Sequence, residues 1–147
     1  MTRSATLDLR RGRYLAWSSS LVVDGFWVAN GTHEVLDESV DDGELGAAVH
    51  RMLAATRTGV PNPHVGGGPS PFAPMLAAVG LRGYSTYVKG TRSVTVEADG
   101  DAVVLTPTRN GGAREGFVGL PEQAVRLTAP DPAALGAALR TALTRSI

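Results

Sequence analysis

The sequence contains no cysteine. That excludes a disulfide framework, a thiol nucleophile and every cysteine-based zinc site, and it agrees with a reducing cytosol. Neither sign of charge is in excess: 14 basic side chains stand against 14 acidic ones. Domains that bind nucleic acid usually carry a basic excess, so direct nucleic-acid binding is not expected. Long apolar runs are missing too, and no segment approaches the roughly 18 apolar residues that mark a membrane-spanning helix. The locally basic start, "MTRSATLDLRRGRY", has no apolar stretch behind it of the kind a signal peptide needs. The expected compartment is the cytoplasm.

What is present describes one globular domain over residues 1–147, 43% hydrophobic and 19% charged, long enough to bury a core without staples. "YLAWSSSLVV" and "GFWVANGTHEVL" carry strand-forming residues, and Asn30-Gly31 is a two-residue hairpin signal. A first helix begins at Asp41, with Glu44 at capping-box spacing, and Leu45, Ala48, Val49, Met52 and Leu53 form one apolar stripe. Residues 56–71, "TRTGVPNPHVGGGPSP", read as an exposed Pro/Gly loop, and "FAPMLAAV" as a short helix ended by Gly80. "SVTVEA" and "AVVLTPT" form an antiparallel pair around Asp99-Gly100, and "GFVGLPEQAVRL" gives two short strands around Pro121. A last helix starts at Asp131, as N-cap, with Pro132 at the first helical position. The expected class is α+β: an antiparallel sheet with two or three helices packed on it.

The two long helices echo each other. "DDGELGAAVHRML" at Asp41–Leu53 and "DPAALGAALRTAL" at Asp131–Leu143 share six of thirteen positions in register. Upstream, Gly25-Phe26 matches Gly116-Phe117, and Val35 matches Val125. The pattern reads as an internal duplication of a strand–strand–helix unit, about residues 21–56 and 112–147. Each copy places a glycine, Gly46 or Gly136, at the edge of its apolar stripe. A mid-helix glycine costs roughly 1 kcal/mol relative to alanine. Both glycines are therefore expected to permit close backbone contact, with a sheet or with each other near a pseudo-twofold axis.

No catalytic constellation emerges. His33, His50 and His64 show neither H-x-x-x-H nor H-E-x-x-H spacing. His33 reads as strand surface and His50 as solvent-facing; only His64, in the Pro/Gly loop, is placed as active-site histidines often are. "SSS" at 18–20 lacks the glycines of a nucleophile elbow, and "HVGGGPSP" lacks the lysine of a phosphate-binding loop. "YVKGTR" sets Lys89 and Arg92 beside Tyr87, too short a stretch for a nucleic-acid site. One charge feature stands out: Glu34, Asp37, Glu38, Asp41, Asp42 and Glu44 form a run with no basic residue. It reads as a helix start favoured by the helix dipole, or as an acidic docking patch for a basic partner.

Three ordered segments, "GFWVANGTHEVLDESVDDGELGAAVHRML", "SVTVEADGDAVVLTPTRNGGAREGFVGL" and "VRLTAPDPAALGAALRTALTRS", resemble the immunity proteins of bacterial contact-dependent growth inhibition systems, of the CdiI type. The matching motifs fall at Glu44–Ala47, Pro107-Thr108, Glu115–Leu120 and Leu135–Arg145, and the resemblance covers roughly residues 20–54 and 83–147. The departure is the middle, where that family usually has a longer, more charged helical segment. The resemblance implies a cytoplasmic, non-enzymatic protein without cofactor or metal. It would bind and neutralise the toxic C-terminal domain, often a nuclease, of a cognate effector. Asp37, Glu38, Asp41, Asp42 and Glu44 are the expected toxin-facing residues, with the loop around His64 as a competing site. The alternatives are a non-catalytic assembly module forming a homodimer and a small hydrolase or transferase built on His64.

Overall fold

The computed structural model describes residues 1–63 and 70–147. Its centre is a strand formed where the sequence suggests only a locally basic start. β1 (Thr2–Arg10) alternates, with Ala5, Leu7 and Leu9 on one face and Ser4, Thr6 and Asp8 on the other. The arginines that obscure this pattern gather at its end, where Arg11 and Gly12 both take positive φ (48° and 77°). That two-residue turn returns the chain antiparallel into β2 (Arg13–Val22).

Asn30-Gly31 is not a hairpin. It lies inside β3 (Trp27–Asp37), and the chain reverses earlier, where Gly25 takes φ 89°. At Asn30-Gly31 the strand bulges, shifting register between Trp17 and Ser19. The Asn30 amide donates to the Ser18 hydroxyl at 2.8 Å and to the Ser20 hydroxyl at 3.0 Å, and its oxygen accepts from the Thr32 N–H. Those side-chain partners make a bulge preferable to a turn here.

α1 (Asp42–Ala54) follows, then a short strand, β4 (Thr58–Val60), parallel to the end of β2. The segment 56–71 is thus not wholly an exposed loop. Thr56 is buried, its hydroxyl accepting from the Ser4 N–H and donating to the Ser4 carbonyl. α2 (Ala73–Ala78) and α3 (Tyr84–Val88) come next. The second half runs β5 (Arg92–Asp99), β6 (Ala102–Asn110), α4 (Gly112–Glu115), β7 (Phe117–Gly119), β8 (Val125–Thr128) and α5 (Pro132–Arg145).

The protein is α+β, with an eight-stranded sheet in the order β3-β2-β1-β5-β6-β7. β8 also pairs with β6, and every pairing is antiparallel except that of β4. The order is symmetric about the β1–β5 seam: on each side a hairpin leads to an edge strand and then to a long helix. α1 and α5 lie together on one face. Leu45, Val49, Met52, Leu135, Leu139 and Leu143 close over Ala5, Leu7, Val94, Val96 and Leu105. The short helices α2 and α3 take the opposite face, so both sides of the sheet are covered.

The two glycines meet at the helix crossing. A Cβ on Gly46 would overlap the carbonyl of Pro132, and one on Gly136 would overlap the carbonyl of Asp42. Pro132 and Asp42 are each the first helical residue after the capping aspartates, Asp131 and Asp41. Each cap accepts from the backbone N–H three residues on, Asp131 from Ala134 at 2.8 Å and Asp41 from Glu44 at 2.7 Å. The crossing is therefore reciprocal: each glycine points a Cα–H at the opening turn of the other helix, a contact only a hydrogen-sized group permits.

Candidate functional site

The acidic run is assembled on one corner of the molecule, where β3 ends and α1 begins. Asp37, Asp41 and Glu44 line a shallow depression with Val35, Ser39 and Val40. Much of this charge already has local partners. Asp37 accepts from the hydroxyl and the N–H of Ser39 (2.6 and 2.9 Å), bonds that hold its carboxyl below the usual range. Asp41 is occupied as N-cap. Asp42 accepts from Arg140 Nε at 2.6 Å, and Glu34 takes a two-pronged bond from Arg51 at 2.7 Å. Glu38 lends only its backbone carbonyl to Arg140. Glu38 and Glu44 thus present the charge least engaged by the fold. His64 lies outside the described residues. His50 is half-buried rather than solvent-facing, its Nε2 3.2 Å from the Pro130 carbonyl.

The opposite face of the sheet holds a second site. Asp8 is 2% exposed in the middle of β1. The Tyr87 hydroxyl donates to its Oδ2 at 2.5 Å and the Trp17 indole N–H donates to the same oxygen at 3.1 Å. Ser93 stands directly across from Asp8 in the β1–β5 register, yet no aligned hydrogen bond reaches Oδ1 among the described residues. Burial pushes the Asp8 carboxyl above its usual range, with the hydroxyls of Ser93 and Tyr87 and the Trp17 indole opposing the shift. Burial also raises the Tyr87 and Tyr84 hydroxyls.

Around Asp8 the rings of Trp17, Phe72, Tyr84 and Tyr87 pack edge-on or tilted, with Phe72 centroids 5.2–5.5 Å from the other three. They border a cavity of about 240 Å³, completed by Phe117, Val28, Ala29, Ser70 and Pro71. Little in the sequence signals it: "YVKGTR" suggests an aromatic beside surface cations, whereas Tyr87 is buried and turned to a carboxylate 79 positions away. The one available signal was Asp8 itself, a charge at an alternating strand position between two leucines.

Asp8 makes stability depend on pH. Its folded-state carboxyl holds a proton that the unfolded chain releases at a lower pH. Its favourable contribution is full below the unfolded value near 3.8 and is lost as pH rises through the folded value. Asp8→Asn is expected to remove that loss. In thermal melts the variant should match wild type near pH 4 and melt higher near pH 8. A wild-type advantage at pH 8 would show that the carboxylate is favourably held.

Among the described residues, no three His, Asp or Glu side chains come together as a metal site, and no helix is long and apolar enough to cross a membrane. No protein-family model matches the chain, and no curated protein matches it in sequence. Two solved structures share its fold over the full length. A protein of unknown function from Neisseria meningitidis superposes with a TM-score of 0.80 at 17% identity, over 100% of this chain and 96% of that one. A chain of a CdiA-CT/CdiI toxin and immunity complex from Yersinia pseudotuberculosis superposes with a TM-score of 0.78 at 19% identity, over 100% of this chain and 98% of that one.

Proposed function

We propose that this chain is an immunity protein. It binds the toxic C-terminal domain of a contact-dependent growth inhibition effector in the cytoplasm and neutralises it by occupation rather than by chemistry, without a cofactor. The observation that carries the reading is the full-length fold likeness to a chain of a toxin and immunity complex. The ordered sequence segments support it from a separate direction. Nucleic-acid cleavage is the toxin activity the reading favours, because an acidic face complements the basic surface with which a nuclease meets phosphates. Co-expression tests it: cells producing the toxin domain encoded beside this gene should grow when the chain is present and stop when it is absent. Equal killing in both would count against the reading.

In this proposal Asp37, Glu38, Asp41, Asp42 and Glu44 face the toxin, and the segment around His64 is the competing contact. The local bonding tells which of them to change. Asp37, Asp41 and Asp42 hold a turn, a cap and an ion pair, so their loss would confuse folding with binding. Reversing Glu38 and Glu44 together to lysine avoids that. The expected result is toxin association roughly tenfold slower at low salt, the difference shrinking as salt rises. An unchanged association rate at low salt would move the toxin-facing surface elsewhere.

A further inference from the structure

The cavity beside Asp8 has apolar walls and a buried carboxyl group, and the acidic corner does not account for it. Five aromatic residues line it: Trp17, Phe72, Tyr84, Tyr87 and Phe117. Apolar walls alone would suit any apolar guest. Asp8 changes the requirement. The two aligned donors, Tyr87 and Trp17, share Oδ2, while Oδ1 is buried with no aligned donor among the described residues, the Ser93 hydroxyl standing beside the carboxyl without a directed bond. An acceptor buried without a donor is costly, and more so when it is charged. Arg10 lies two positions along on the same face of β1, but it forms no ion pair with Asp8 among the described residues and does not line the cavity.

Aromatic faces are electronegative and attract cations, most strongly where water is excluded. A buried carboxyl oxygen without an aligned donor favours the same kind of guest, whose positive charge also draws Asp8 towards its ionised form. An anion would meet repulsion from both, and a neutral alkane would leave Oδ1 as it is. We infer that this cavity receives one alkylammonium or guanidinium group, its charge set on Asp8 and its apolar stem against Trp17, Phe72 and Tyr84. The source of that group rests on the proposed function: it is a lysine or arginine side chain of the toxin domain. The cation chemistry of the cavity stands without it.

The test uses the whole chain. n-Butylammonium and n-butylguanidinium are titrated in, with 1-butanol as the neutral match. Binding is followed by the NMR signal of the Trp17 indole N–H, which is bonded to Asp8. Both cations are expected to bind saturably and at least about tenfold more tightly than butanol. Asp8→Asn should erase that preference. Tyr84→Leu, at a rim position 38% exposed, should weaken the cations about threefold while leaving the carboxylate in place. Equal binding of butanol and the cations, or a preference that survives Asp8→Asn, would overturn the assignment. Cation binding as expected by a chain that fails to bind the toxin domain supports the cavity, makes its guest a free organic cation and removes the toxin as source. Toxin binding without cation preference leaves the immunity reading intact and removes this one.

Discussion

Gly136→Ala is expected to melt lower than wild type, although alanine is the better helix former. Propensity alone favours alanine by roughly 1 kcal/mol. Against this, the new methyl would lie on the Asp42 carbonyl and within 2.8 Å of the Asp42 Cα. Both are backbone atoms of a capped helix start and cannot turn aside as a side chain would. The helices must separate, and α1 and α5 supply most of the cover for one face of the sheet. Overpacking in a core costs about 1–3 kcal/mol and sometimes more, and a clash with backbone sits at the upper end. A cost near 3 kcal/mol less the roughly 1 kcal/mol gained leaves a net loss of about 2 kcal/mol, so a domain of this size should melt about 4–8 °C lower. Gly46→Ala should do the same through the Pro132 carbonyl. Because each substitution already forces the same helices apart, the double variant should lose less than the sum. A Gly136→Ala variant that melts higher than wild type would contradict the crossing described above.

The second large effect concerns Arg140, which ties α5 to the corner where β3 meets α1. Its guanidinium donates to Asp42 at 2.6 Å, to the Tyr14 hydroxyl at 3.0 Å and to the carbonyls of Glu38 and Val40, and it sits 5.5 Å from the centroid of the Tyr14 ring. Arg140→Met keeps the stem and removes every donor. The side chains of the ion pair are 31% and 45% exposed, so solvent already screens that bond and its share is discounted. The lost donors to the Val40 and Glu38 carbonyls and the lost cation–π contact add to it. The expected destabilisation is about 2 kcal/mol by chemical denaturation. A double-mutant cycle with Asp42→Asn should show a coupling of roughly 0.5–1 kcal/mol, small because the pair is half-exposed. Loss within a few tenths of a kcal/mol for Arg140→Met would mean that the corner holds together without it.

The acidic corner proposed to meet the toxin is shaped by this same arginine. A partner that binds there meets a rigid backbone, pinned by Arg140 from beneath and by Arg51 through Glu34. For the proposed toxin contact this leaves mainly the charge of Glu38 and Glu44. Recognition by preformed charge favours rapid association, as the proposed immunity role would require.

The long helices were legible because every local signal agreed: a capping aspartate, a stripe at 3.6-residue spacing, and the glycine at the same offset in both. Even the close approach was readable, since a glycine that costs helix stability invites a packing reason. β5 and β6 were legible from alternation around Asp99-Gly100. β1 was hidden because Arg10, Arg11 and Arg13 made its neighbourhood look like a basic tail, although Ala5, Leu7 and Leu9 alternate. Asn30-Gly31 misled because a hairpin signal weighs only the two turn residues, while Ser18 and Ser20 on the neighbouring strand and the Ala55 carbonyl decided the outcome. The aromatic cavity was illegible for a related reason. Its members come from β1, β2, β3, α3 and the segments before α2 and at β7, and nothing local marks Asp8 and Tyr87 as partners. Short helices such as α3, only five residues long, also lack the periodicity that reveals a helix.

A titration of toxin activity tests the proposed immunity role. The purified toxin domain encoded beside this gene is assayed on nucleic acid while the chain is added in increasing amounts. If this is an immunity protein, activity falls linearly and is abolished at one chain per toxin domain. An active toxin whose cleavage is unaffected by a molar excess of the folded chain would contradict that role.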